Sequence, residues 1–220
     1  MRTLVIVAIG AMFFATSCKS QSQTETKKPA ETQAVEKKAE PAGPLVKWPA
    51  DYPVKGDSVA IISTKFGDIV LEFFPDVAPN HVRNFKYLAD HGFYDGCTFH
   101  RVIPNFMIQG GDPNSKDTIR ANDGNGGPGW TVAAEFNAKP HVRGTLSMAR
   151  TADPNSAGSQ FFICVTRTPN LDNKYTVFGQ AIKGLEVLDK IVNQARDQRD
   201  NPLDRIEMKV RIVPRAAAGL

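Results

Sequence analysis

From Val59 onward the chain consists of short apolar runs, rich in β-branched and aromatic residues and interrupted by Gly, Pro, Asn and Asp. VAIIST (59–64) and DIVLEFF (68–74) flank Lys65-Phe66-Gly67, which reads as a hairpin. Further strand candidates fall at 98–102, 106–109, 145–149, 160–165, 176–182 and 206–213. Helical spacing appears in two places. Ala78-Pro79 opens the first helix, with Val82, Phe85, Leu88 and Ala89 recurring on one face and Gly92 able to end it in a left-handed conformation. The second runs from Gly184 to Ala195, with Leu185, Leu188, Ile191 and Val192 together. Many short strands and two isolated helices point to a closed β-barrel rather than to alternating βαβ units. No internal repeat is visible.

The residues ahead of this pattern read differently. Arg2 precedes an apolar run from Leu4 to Ala15, shorter than the roughly 20 residues that cross a bilayer. The following ATSCKS fits a signal peptide of residues 1–17. Cleavage before Cys18 suits an ordinary signal peptidase and also a bacterial lipoprotein box, in which Cys18 carries the lipid. The lipoprotein reading is preferred, because residues 18–47 then have a purpose. They are almost all Ser, Gln, Thr, Glu, Lys, Pro and Ala, a composition that buries too little apolar surface to fold. As a flexible coil they span roughly 30 Å, enough to hold a domain of residues 48–220 clear of a membrane. The expected location is therefore outside the cytoplasm, in the cell envelope or periplasm.

Charge argues against nucleic acid as a partner. The net charge is +4, but residues 1–18 hold one Arg, 19–47 hold six Lys against four Glu, and 48–220 hold 20 basic against 19 acidic residues. The folding part is close to neutral. Once Cys18 is set aside, Cys97 and Cys164 remain. Cys164 lies in the apolar run QFFICV, where a buried free thiol is the common state, so no disulfide is expected. His81, His91, His100 and His141 have neither HxxxH spacing nor a CxxC partner, so no metal site is expected.

The segment FHRVIPNFMIQGGD (99–112) places Arg101 and Gln109 among apolar residues with no acid nearer than Asp112. Alone, Arg101 could be a rim residue laying its stem on apolar surface, and Gln109 could satisfy a backbone group. A second segment, GTLSMARTADPNSAGSQFFICV (144–165), joins two strand-like runs by a small-residue loop and sets Gln160 before Phe161 and Phe162. A third, LDNKYTVFG (171–179), adds Leu171 and Phe178.

In this order and spacing the three motifs resemble the cyclophilin-type peptidyl-prolyl cis-trans isomerases over residues 59 to 213, here in an exported bacterial lipoprotein form. The resemblance implies a mainly β fold, a closed eight-stranded antiparallel β-barrel capped by two α-helices, with the substrate groove on its outside. It makes Arg101 the catalytic donor, with Gln109 positioning it. Phe106, Met107, Phe162 and Leu171 become the proline pocket, with Tyr175 at its rim and Gln160 as a second polar positioner. Ala149-Arg150-Thr151 would bind the substrate backbone, and Gly124, Asn125 and Gly126 would border a neighbouring pocket. The substrates implied are unfolded or partly folded polypeptides with exposed X-Pro bonds, handled by a monomer without cofactor or metal. Asn170 and Tyr175 stand where many well-studied eukaryotic members have Trp and His, and Arg150 where Asn is usual. The extra cation at Arg150 suggests a preference for acidic residues beside the proline. Two rival readings remain: a binding module for proline-rich segments with incidental isomerisation, and a small-molecule carrier, which needs a hollow barrel.

Three other features read as structure. His100 is expected to face away from Arg101 as a structural hydrogen-bonder rather than a proton shuttle. DGNGGPGW (123–130) lacks the Lys-Ser/Thr of a phosphate loop and reads as a surface loop. Trp48 and Trp130 read as packing residues.

Overall fold

The structure is a computed structural model and describes residues 48–54 and 56–220. All described residues belong to one compact unit. The expected signal peptide (1–17), the lipid attachment at Cys18 and the linker to residue 47 lie outside the described residues.

Eight strands form one antiparallel sheet: β1 (Ser58–Thr64), β2 (Gly67–Phe73), β3 (Phe99–Ile103), β4 (Met107–Gly110), β5 (Thr145–Met148), β6 (Phe161–Cys164), β7 (Val177–Lys183) and β8 (Lys209–Pro214). Among the described residues, two α-helices accompany them, α1 (Pro79–Asp90) and α2 (Leu185–Val192). The hairpin at Lys65-Phe66 forms as read, with Thr64 paired to Gly67. Helix α1 carries Pro in its first turn, and Gly92 just beyond it has φ +66°. Helix α2 is shorter than its apolar spacing predicts. Gly184 is not its first residue but its left-handed cap (φ +80°), and a Cβ there would lie 2.1 Å from Asp68 O.

The strand order is β3-β4-β6-β5-β7-β2-β1-β8. The ladders stop at β3 and β8, so the sheet is an open half-barrel and not the closed barrel expected. Along β3 the chain supplies other partners. Phe99 N donates to Ile206 O (3.0 Å), Met208 N donates to Cys97 O (2.8 Å), and one bridge joins Thr98 to Glu207. Further on, Val102 N donates to Asp200 O (2.8 Å). Asp200 sits at φ +65° in a turn bridged at Arg196 and Pro202. Residues 206–208 meet the chain beside β3 through one isolated bridge rather than a ladder, so the predicted strand at 206–213 begins only at Lys209.

The concave side is solid. Phe85 of α1 is fully buried and meets the rings of Tyr94 (5.0 Å), Phe161 (5.3 Å) and Phe178 (5.6 Å). Ile62, Leu71, Ile108, Leu146 and Ile163 fill the rest, each with no exposed surface. A filled interior excludes the hollow carrier. Strand alternation sends Met107 on β4 and Phe162 and Cys164 on β6 outward, where with Leu171 from the short helix Pro169–Leu171 they form a second apolar cluster, flanked by Ile103, Phe106, Ala149 and Tyr175. Ahead of β1, Trp48, Tyr52 and Val54 pack on the main core, and Tyr52 meets the Tyr87 ring edge-on at 5.5 Å.

Candidate active site

A row of paired residues crosses the outer face of the sheet. Arg101 on β3 pairs with Gln109 on β4, Gln109 with Phe162 on β6, and Phe162 with Ser147 on β5. The β3–β4 register shifts between Phe99 and Arg101, leaving His100 without a partner in the ladder. This bulge sets the aim of the Arg101 side chain. The tight turn between the two strands places Asn105 at φ +60°, a conformation Asn tolerates, and brings Phe106 over the sheet.

Around this row lies a cavity of about 180 Å³ lined by Arg101, Phe106, Met107, Gln109, Ala149, Arg150, Phe162, Leu171 and Tyr175. A second cavity of about 340 Å³ shares Gln109, Ala149 and Arg150 and adds Gly124, Asn125, Gly126, Thr151 and Gln160. Every candidate side chain read from the sequence, Cys18 aside, therefore lines one of two adjoining cavities. Pro128, Trp130, Ser156 and Gly158 also line the second and were not among the candidates. Trp130 packs, as read, but its indole also donates to Asn84 Oδ1 (2.8 Å), and Asn84 Nδ2 donates to Gly158 O (2.7 Å), so one buried amide holds both sides of that cavity. The Gly-rich run before Trp130 was the only sequence signal for it.

The polar groups form a directional relay. Arg101 Nη1 donates to Gln109 Oε1 (3.4 Å), Gln109 Nε2 donates to Gln160 Oε1 (3.0 Å), and Gln160 Nε2 donates to Gly124 O (3.0 Å) and Gly126 O (2.9 Å). A guanidinium can only donate and a carbonyl can only accept, so the two ends fix the orientation of both amides. The loop that receives the relay is anchored by buried Asp112, which accepts from Gly124 N and from Asn114 N (2.8 Å). A Cβ at Gly126 would lie 2.1 Å from Asp112 Oδ1, so the loop needs glycine there.

Neither cavity is lined by an Asp or Glu. Among the described residues, no carboxylate lies within ion-pair distance of Arg101 or Arg150. Arg150 Nη2 donates to Lys174 O (2.9 Å) and Nη1 to Thr151 O (2.8 Å), while its guanidinium lies 4.5 Å from the centre of the Tyr175 ring. Phe162 stands between two rings, Tyr175 edge-on at 5.8 Å and His141 stacked at 6.0 Å.

His100 is buried, but both ring nitrogens lack a protein partner, so it is not the structural hydrogen-bonder expected. The extra residue of the bulge places it under Gly124, and burial lowers its pKa below the ordinary histidine value. Cys97 and Cys164 are free and buried, and burial pushes both thiols up to about 12.

Residues 59–212 match the sequence model described as cyclophilin type peptidyl-prolyl cis-trans isomerase/CLD. The chain belongs to this family. A peptidyl-prolyl cis-trans isomerase of Synechococcus elongatus is 48% identical over 158 residues, covering 72% of this chain and 98% of the relative. Peptidyl-prolyl cis-trans isomerase B of Bacillus subtilis is 46% identical over 127 residues, 57% of this chain and 83% of the relative. Among solved structures, a cyclophilin of Cryptosporidium parvum crystallised in the presence of the dipeptide Ala-Pro superposes with a TM-score of 0.64 at 36% identity, covering 71% of this chain and 98% of its own. This cyclophilin is a peptidyl-prolyl cis-trans isomerase. Its two cavities lie on the outer face of the half-barrel.

Proposed function

We propose that this cyclophilin catalyses X-Pro rotation without covalent chemistry, with Arg101 as the catalytic donor, and serves proteins folding outside the cytoplasm. One observation carries the mechanism: a guanidinium without a carboxylate partner edges a cavity otherwise walled by Phe106, Met107, Phe162 and Leu171. Conjugation in the X-Pro amide sets a barrier of about 18 to 20 kcal/mol. At the top of that barrier the amide is twisted and the prolyl nitrogen regains its lone pair. A donor aimed at that nitrogen stabilises the twisted state more than either planar isomer, which is the condition for catalysis. A roughly 10⁵-fold gain needs about 7 kcal/mol of such preference. Partial exclusion of water strengthens the field of the guanidinium. Gln109 holds the cation, the apolar walls hold the pyrrolidine ring, and the backbone at Ala149-Arg150-Thr151 receives the preceding chain. Because cis and trans X-Pro differ by only about 0.5 to 1 kcal/mol, no energy source is needed.

Lipid attachment at Cys18 and the polar residues up to 47 would keep the enzyme at a membrane surface facing unfolded exported chains. The catalytic reading is tested by exchange NMR on an X-Pro peptide. Arg101→Ala is expected to lower kcat/KM by about 10²- to 10³-fold, and a variant as fast as wild type overturns Arg101 as the donor. Mass spectrometry of the mature N-terminus tests the lipid, and an unmodified Cys18 removes the anchor.

A further inference from the structure

Residues 48–54 lie outside the stretch that matches the family, 59–212, yet they are built onto α1. A turn, in which Ala50 N donates to Trp48 O (2.9 Å) and Tyr52 N to Pro49 O (3.1 Å), shapes this arm, and Pro49 within it is buried. The residues of α1 that meet the arm recur at helical spacing. Arg83 Nε donates to Tyr52 O (3.1 Å), Lys86 Nζ donates to Val54 O (3.3 Å), and the Tyr52 hydroxyl donates to Asp90. Lys86 is buried and, among the described residues, has no carboxylate within ion-pair distance, so the Val54 carbonyl is the acceptor that offsets its burial.

One ring on α1 meets both the arm and the substrate face. Tyr87 takes the Tyr52 ring edge-on at 5.5 Å and has the Trp130 ring at 6.2 Å. Asn84, one turn earlier on the helix, accepts from the Trp130 indole (2.8 Å) and donates to Gly158 O (2.7 Å). Trp130 and Gly158 come from different loops, and both line the second cavity. A Cβ on Gly158 would lie 2.9 Å from Pro128 Cδ, so the two loops already touch and a shift of one is passed to the other. Truncating Tyr52 would leave a void beside Tyr87, into which that ring can relax, away from Trp130.

We propose that Tyr52 is a positioning residue for the second cavity: the arm holds Tyr87 against Trp130 and thereby fixes the two loops that receive residues flanking the X-Pro unit. The working domain then begins at Trp48 rather than at Val59. The inference rests on the reading of the two adjoining cavities as the substrate site. Neither Trp130 nor Gly158 lines the proline cavity, so loss of the arm contact should weaken the grip on longer substrates and leave the Arg101 step nearly intact.

The test compares a blocked Ala-Pro dipeptide, which fills the proline cavity alone, with a longer peptide carrying Ala-Pro at its centre, and measures dissociation constants and bound exchange rates by NMR on the full chain. Tyr52→Ala is expected to bind the longer peptide about three- to tenfold more weakly, with the dipeptide and the bound exchange rate little changed. Its Trp130 indole N–H signal should move even without peptide. Tyr52→Phe keeps the ring against Tyr87 and should bind both peptides as wild type does. In wild type, the longer peptide should shift the Tyr52 ring signals and the dipeptide should not, a readout that needs no variant. Unchanged affinity for the longer peptide in Tyr52→Ala, equal losses for both peptides, or silent Tyr52 signals in wild type overturns the proposal. Arg101→Ala in the same assay separates the readings: if it exchanges normally the cavities are misassigned, and if it fails while Tyr52→Ala binds as wild type, only the role of the arm falls.

Discussion

Arg101 and Gln109 are directly paired across β3 and β4, with Nη1 of the guanidinium 3.4 Å from Oε1 of the amide. The contact is long for a hydrogen bond. Gln109 therefore steers the cation without consuming its donors, and among the described residues its other N–H groups make no hydrogen bond, as the proposed mechanism requires.

The relay behind this pair gives the first expectation. Gln160→Ala removes the link between Gln109 and the carbonyls of Gly124 and Gly126. Its kcat/KM should fall about 10- to 100-fold, because a modest misplacement of a catalytic group costs that much. Combined with Arg101→Ala, the second substitution should add little. Fully multiplicative losses in the double variant would show that Gln160 acts independently of Arg101.

Charge supplies the second. Two cations and no carboxylate line the adjoining cavities, so peptides with Glu beside the proline should be turned over about three- to fivefold faster than Lys-flanked ones at low salt. The ratio should shrink toward one in about 0.5 M salt. Arg150→Gln should reduce the ratio while leaving neutral peptides little changed. Equal turnover of Glu- and Lys-flanked peptides at low ionic strength would rule the preference out.

The third concerns stability. No side chain at Ala78 caps α1. Instead Glu135, distant in sequence, accepts from Asn80 N (3.0 Å), His81 N (3.0 Å) and His81 Nδ1 (2.7 Å). Burial raises the pKa of this carboxyl, but those hydrogen bonds outweigh it and the net shift is downward from 4.5. A lowered carboxyl stabilises the fold above its unfolded pKa, and that contribution is lost as pH falls through the folded value. Glu135→Gln should cost about 1 to 2 kcal/mol at pH 7. In urea melts the gap between variant and wild type should narrow as pH falls below 4.5, and a gap that stays the same size through that range would refute the assignment.

The parts of the fold set by local chemistry were readable in advance. Pro79, Gly92 and the Lys65-Phe66 turn mark element ends through their own backbone preferences. On β6 the four residues Phe161, Phe162, Ile163 and Cys164 are all apolar, so inside and outside are not separable there and only the family resemblance puts Phe162 at the cavity. The parts set by distant chain were not readable either. Nothing near Val102 announces that Asp200 will take its N–H, so the open seam was invisible. Asn84 carries no motif, and its role comes from Trp130 and Gly158. His100 shows the converse: alternation alone cannot foresee a bulge.

The turn at Asp200 that occupies the outer edge of β3 bears on how the enzyme meets its clients. Half-folded chains offer bare backbone that would gladly stitch onto any open sheet margin. With the amide of Val102 already taken, a passing polypeptide has little purchase beside Arg101 except through its imino acid. On the proposed reading of its substrates, this capped margin would keep the enzyme from stitching unfolded chains onto its own sheet.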